Sequence, residues 1–137
     1  MDSLACKKPR LSRAPKLPVA TEEQEAFWLA SWLTLNDVFF IHIPNEGKRS
    51  PRAGARLKRM GLLPGASDFF ILDSPPALPL LKGVWVELKR HGGKPTDEQL
   101  QFLTHADHRG YGAFWIAGGE AAAEKLKTVY GYGRRLG

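Results

Sequence analysis

Glu87 and Lys89 close an apolar, β-branched run, Val84-Trp85-Val86-Glu87-Leu88-Lys89, and their spacing carries the chemistry of this chain. Alternate side chains of a strand share a face, so Glu87 and Lys89 point one way and Leu88 the other. Nineteen residues before Glu87, Asp68 heads a second apolar run, Phe69-Phe70-Ile71-Leu72. Pairing of the two runs would bring two carboxylates and a lysine together at one end of a small sheet. Mg²⁺ wants octahedral oxygen ligands and typically takes one or two carboxylates, with water and substrate phosphate completing its shell. Held by Asp68 and Glu87, such a metal would lower the pKa of a bound water and polarise a phosphoryl oxygen. Lys89 would hold the attacking water or neutralise charge growing on the phosphate. The chemistry implied is metal-assisted phosphodiester hydrolysis. An E-x-K triplet alone is equally an exposed ion pair worth about 0–1 kcal/mol. The apolar run before it and the acid opening the neighbouring strand raise it above that.

Glu22 lies four residues before Ala26, on the apolar stripe of a first helix. An acid on a buried face is costly without a partner, and a metal would supply one, directly or through water. The competing reading is an acid that complements the helix dipole, and Glu25, one turn on, is the substitute candidate. Gln99 stands three residues into the helix after the Glu87 strand. It would bind a metal-bound water, a phosphate or Lys89, or serve only as a capping residue. Lys48, Arg49, Arg52, Arg56, Lys58 and Arg59 fall within twelve residues. With a helix N-terminus at Ser50, they would grip a phosphate backbone without reading base sequence. His42 and Asn45 flank Pro44, where they would touch substrate; for His42 the competing reading is a satisfied, partly buried histidine. His105 and His108 have no metal-ligand spacing with any cysteine. The four tryptophans read as core or interface, and there is no plausible Ser/His/Asp triad.

Two capping boxes anchor the elements that must position these residues. Thr21-Glu22-Glu23-Gln24 opens a helix over 22–35, with Ala26, Leu29, Ala30 and Leu33 at helical spacing. Thr96-Asp97-Glu98-Gln99 opens another, to about Arg109. Val38 to Ile43 reads as a buried strand stopped by Pro44. Ser50-Pro51 starts a short helix over 52–60 that ends at Gly61. A strand begins near Asp68, and the proline-rich 74–79 is a loop joining it antiparallel to strand 83–89. The helical crossover from 83–89 to 111–117 places those two strands in parallel. A last helix covers 120–130. The fold class is α/β, a mixed β-sheet flanked by helices.

The 137 residues suit one core, preceded by a basic, proline-containing arm over 1–19 that reads as disordered. A formal charge of +6 points to an anionic partner. Cys6 is the only cysteine, which excludes an intrachain disulfide and fits a reducing compartment. No apolar stretch approaches the ~20 residues of a membrane span. The expected location is the cytoplasm, or the nucleus if the host has one.

Several of these runs resemble one family. His42-Ile43-Pro44-Asn45-Glu46-Gly47-Lys48-Arg49, Gly54-Ala55-Arg56-Leu57-Lys58, Gly61-Leu62-Leu63-Pro64-Gly65-Ala66-Ser67-Asp68 and Trp85-Val86-Glu87-Leu88-Lys89 are similar to the VRR-NUC nucleases of the PD-(D/E)XK superfamily. The likeness runs through Thr96-Asp97-Glu98-Gln99 and Gly110-Tyr111, so it covers roughly residues 21 to 130, within a nuclease domain spanning 20–137. It implies a restriction-endonuclease-like core and Mg²⁺- or Mn²⁺-dependent hydrolysis. Asp68, Glu87 and Lys89 would be the central triad, with Gln99 and a helix-one glutamate, Glu22, completing the catalytic set and Glu22 joining the metal carboxylates. Compact stand-alone members look like phage or bacterial homodimers, some acting on four-way DNA junctions, so branched DNA is the expected partner. One departure is Ser67, where the superfamily places a proline; that proline shapes backbone and has no chemical role.

Two other readings compete. A non-catalytic nucleic-acid-binding module on the same fold would not need Asp68, Glu87 and Lys89 together. An unrelated basic RNA-binding protein would be indifferent to metal.

Overall fold

The computed structural model describes residues 17–44 and 50–133. Eight elements follow in chain order: α1 (Glu22–Leu35), β1 (Phe40–His42), α2 (Pro51–Arg59), β2 (Phe69–Ile71), β3 (Val84–Lys89), α3 (Asp97–His108), β4 (Gly112–Ala117) and α4 (Gly119–Thr128). Most of the arm and the residues Asn45, Lys48 and Arg49 lie outside the described residues.

Both capping boxes form. Thr21 Oγ1 accepts from the Gln24 amide at 3.1 Å while Gln24 Oε1 accepts from the Thr21 amide at 2.9 Å. Thr96 and Gln99 repeat the exchange at 3.2 and 2.8 Å. Each box satisfies two amides that a helix start otherwise leaves without partners. Ser50 caps α2 by accepting from the Ala53 amide, with Pro51 in the first helical position.

The sheet order is β1-β2-β3-β4, antiparallel except for the parallel β3–β4 pair that α3 connects. β1 is shorter than the expected strand over 38–43. Asp37 adopts a left-handed conformation (φ 54°) and the Val38 amide donates back to Leu33 O at 3.0 Å. Val38 therefore closes α1 instead of entering the ladder. The other elements depart from expectation by one or two residues at their ends.

One sheet face carries Phe69, Ile71, Val84, Val86 and Leu88, all buried against Leu29 and Leu33 of α1 and Ala122 and Leu126 of α4. The opposite face carries Trp85, Glu87 and Lys89 and meets α3, where the Trp85 and Phe102 rings pack edge to face. A sheet buried on both faces explains why the β3 run lacks a polar alternation before Glu87. Of the tryptophans, Trp32 packs against the core. Trp28 and Trp115 are exposed, Trp32 and Trp85 half-buried, and none is part of the fully buried core.

Candidate active site

β2 and β3 pair so that Phe69 faces Val86, which leaves Asp68 beside the Glu87–Leu88 step. Asp68 Oδ2 accepts from the Leu88 amide at 3.0 Å. This bond clamps the carboxylate just before β2 begins, alongside the stretch of β3 that runs past it. Glu87 is fully buried. Lys89 Nζ stands 3.2 Å from Glu87 Oε1, an ion pair at contact distance. The contact is not aligned as a hydrogen bond, and among the described residues the polar neighbours of the Glu87 carboxyl are Lys89 and Asp68 alone, with no well-aligned donor on either oxygen.

Burial, and then the neighbouring Asp68 charge, push the Glu87 carboxyl up to about 8 against the opposing pull of Lys89. Asp68 is also raised by burial, although the Leu88 amide and Lys89 pull it down. Two carboxyls that resist ionising together, one with no well-aligned donor on its oxygens, match what a hard divalent cation would relieve. The donor set therefore fits Mg²⁺ or Mn²⁺, with water and phosphate making up the remaining positions.

The helix-one glutamates separate by position. Glu25 Oε2 accepts from the Gly119 amide at 3.2 Å and lies 3.8 Å from His91 Nε2, so it ties α1 to the start of α4. Gln24 is spent in the capping box. Glu22 and Glu23 line a cleft with His42, Pro44, Asp68 and Leu88. Glu22 is exposed, not buried as its place on the apolar stripe suggested, because the stripe begins at Ala26 and Glu22 sits in the first turn. Among the described residues no three His, Cys, Asp or Glu side chains cluster closely enough to hold a metal. The structure thus brings Asp68 and Glu87 together and places Glu22 on the wall of the cleft that Asp68 lines.

Gln99 is buried and its Oε1 faces the Thr96 amide. It lines a second cleft with Pro44, Lys58, Gly65 and Ala66. His42 is exposed and not partly buried: at the edge strand its ring stacks on Phe69 with centroids 4.5 Å apart. Arg52, Arg56, Lys58 and Arg59 are all exposed on α2, which buries no residue of its own. Lys58 reaches the Gln99 cleft, whereas Arg52, Arg56 and Arg59 line a groove along another face of the helix.

Sequence reasoning missed two features. Ser67 is fully buried with its Oγ unpartnered, directly before Asp68; a lone serine gives no advance signal of this. Gly65 approaches α3 so closely that an added Cβ would lie 2.5 Å from the Glu98 carbonyl carbon, and its φ is +80°. Gly65→Ala should therefore push the Asp68 loop off α3 and cost about 2 kcal/mol or more, from left-handed strain and the backbone clash together. Chemical denaturation would measure it; a change within about 0.5 kcal/mol, the range of an ordinary surface substitution, would show that the loop is not held there.

The fold is α/β, a mixed sheet with α1 and α4 on one face, α3 on the other and the acidic pair just before β2 begins. No family model matches the chain, and no curated protein is similar to it. Among solved structures, one described as a VRR_NUC domain protein has the same fold, with a TM-score of 0.67 and 20% identity, covering 85% of this chain and 98% of that one. The VRR-NUC resemblance read from the motifs is thus borne out at the level of the fold. No helix among the described residues is long and apolar enough to cross a membrane.

Proposed function

We propose that this chain is a Mg²⁺- or Mn²⁺-dependent DNA endonuclease of the VRR-NUC type, selective for branched or four-way-junction DNA. The observation that carries this reading is Glu87: fully buried, held between the Asp68 carboxyl and the Lys89 ammonium, with no well-aligned donor on either oxygen. Buried polar atoms without partners are rare in native proteins and point to a ligand or a strained functional group. A merely structural ion pair would gain by satisfying those oxygens.

Asp68 and Glu87 would hold the cation, which when bound supplies Lewis-acid activation of the water and the phosphoryl oxygen. Asp68 is fixed by the Leu88 amide through Oδ2, which leaves Oδ1 for the cation. Lys89 meets charge developing on the phosphate and orients the nucleophile. Glu22, at the cleft mouth, would act through water. Lys58 and the arginines of α2, together with Asn45, Lys48 and Arg49, would hold the DNA backbone. A homodimer would present two such sites about a two-fold axis, which suits paired cuts in a junction. The working location would be the cytoplasm of a bacterial or phage-infected cell.

The test is cleavage of labelled four-way junction, flap, duplex and single-stranded DNA with Mg²⁺, Mn²⁺ or EDTA, beside Asp68→Ala. Metal-dependent cutting that the substitution abolishes is expected, with the junction or flap cut fastest. Binding without cutting under every condition would favour a non-catalytic binding module.

A further inference from the structure

On the Glu87 face of the sheet lies a second cavity of about 620 Å³ that the proposed chemistry does not use. Trp85, Phe102 and Tyr111 line it, with Glu98, Gln101 and Arg109 contributing polar groups. Its volume falls within the ~300–1,000 Å³ of sites that enclose a small ligand, and an apolar wall with a few polar groups is their usual composition. The aromatic wall is held in place. The Trp85 ring stacks on Phe70 at 4.3 Å and 18°, and the Phe102 ring meets it edge-on at 4.9 Å and 82°. Arg109 is braced by an Nη1 bond to His105 O at 2.9 Å. That leaves its remaining donors available.

The position is as telling as the lining. Trp85 and Glu87 share a face two residues apart, a separation of about 7 Å along a strand. Leu63, Pro64 and Glu98 border both this cavity and the Gln99 cleft, and Pro44 borders both the Gln99 cleft and the one containing Asp68. A run of adjoining clefts therefore joins the acidic centre to the aromatic cavity.

We infer that this cavity receives one unpaired nucleobase of the DNA strand being cut, a few nucleotides or fewer from the scissile phosphate. Aromatic faces accept any base by stacking, and an arginine beside them adds cation–π and phosphate contacts. Glu98 and Gln101 at the rim can meet donors and acceptors on the base edge. A base in intact duplex must first be unpaired and unstacked, a cost that is least where it is already unpaired. The cavity thus selects DNA with an unpaired nucleotide beside the cut, such as a flap or an opened branch point, over continuous duplex. This rests on the nuclease reading above and gives it a substrate feature.

The experiment uses the full-length Asp68→Ala protein in EDTA, so that nothing is cut. The probe is branched DNA with 2-aminopurine at single unpaired positions near the branch, and fluorescence is read on titration. At one of these positions the signal should fall at least about twofold at saturation, as expected for a base stacked on aromatic rings. Phe102→Leu removes one ring of the wall while keeping an apolar side chain, and Arg109→Ala removes the guanidinium. Either should abolish most of the quenching and weaken binding to the unpaired probe about tenfold, while binding to plain duplex changes by less than about twofold. Unchanged fluorescence at every position, or full quenching in both variants, overturns the proposal. So does a result in which Phe102→Leu alters only self-association, since the cavity would then receive a second copy of the chain. Failure of the nuclease reading appears separately, as absence of metal-dependent cutting by the unmodified protein.

Discussion

Lys89→Ala should reduce single-turnover DNA cleavage on the order of a thousandfold, the scale of losing one preorganised electrostatic contact to the transition state. Junction affinity should stay within about twofold, because in the proposed reading phosphate contacts from the basic residues around α2 would dominate binding. Lys89 is buried at the end of β3 with its ammonium against Glu87, so no exposed lysine can replace it. Its removal also deprives two neighbouring carboxyls of their countercharge. Glu87, already pushed up to about 8, would hold its proton more tightly and give up less of itself to a cation. The stability cost should be small for the same reason. Breaking a buried ion pair usually costs about 3–5 kcal/mol because a bare charge is left behind. Here the remaining partner is protonated at neutral pH and leaves little charge. Lys89→Met, which keeps the stem's packing, should be as inactive as Lys89→Ala and at least as stable as the unmodified chain. Cleavage rates and thermal melting together check this. Loss of binding and folding in parallel with activity would make Lys89 a structural residue.

The shared face of Glu87 and Lys89 is readable from a strand's period of two, and the parallel β3–β4 pairing from the need for a helical crossover. Thr21 and Thr96 mark their helices because a capping box is local chemistry, decided within four residues. What the sequence does not give is depth and distance. Glu22 shares the helical phase of Leu29 and Leu33, yet one turn at the helix start takes it from the core to the cleft mouth. Glu25 differs from it by less than one turn and ends on the amide of Gly119, a contact across the fold that no local pattern encodes. The Asp68–Leu88 clamp depends on β2 beginning only at Phe69, a boundary set by pairing and not by composition. Trp85, Phe102 and Tyr111 look like ordinary core residues in the sequence; only the incomplete cover of one sheet face leaves a cavity between them.

Metal affinity should rise steeply with pH. A cation needs Glu87 ionised, and below a carboxyl pKa of about 8 each pH unit removes roughly tenfold of the ionised form. Mn²⁺ titrated calorimetrically at pH 6, 7 and 8 should therefore bind tighter at each step, releasing a proton that buffers of different ionisation enthalpy reveal. The metal-free protein should show the opposite trend in stability. Glu87 is raised in the folded state above an unfolded value near 4.5, so between those values the folded protein holds a proton that the unfolded chain has lost. The associated stabilisation is fully present below about 4.5 and is lost as pH climbs through 8, amounting to on the order of a few kcal/mol. Asp68, raised in the same direction, adds to it. In EDTA the melting temperature should fall from pH 5 to pH 8.5, and saturating Mn²⁺ should recover most of the loss at the alkaline end, where the cation replaces the proton. Glu87→Gln is the control: it should flatten the metal-free slope and abolish the recovery. A metal affinity independent of pH between 6 and 8 would mean that Glu87 is already ionised in the free protein, with Lys89 outweighing the burial that raises it.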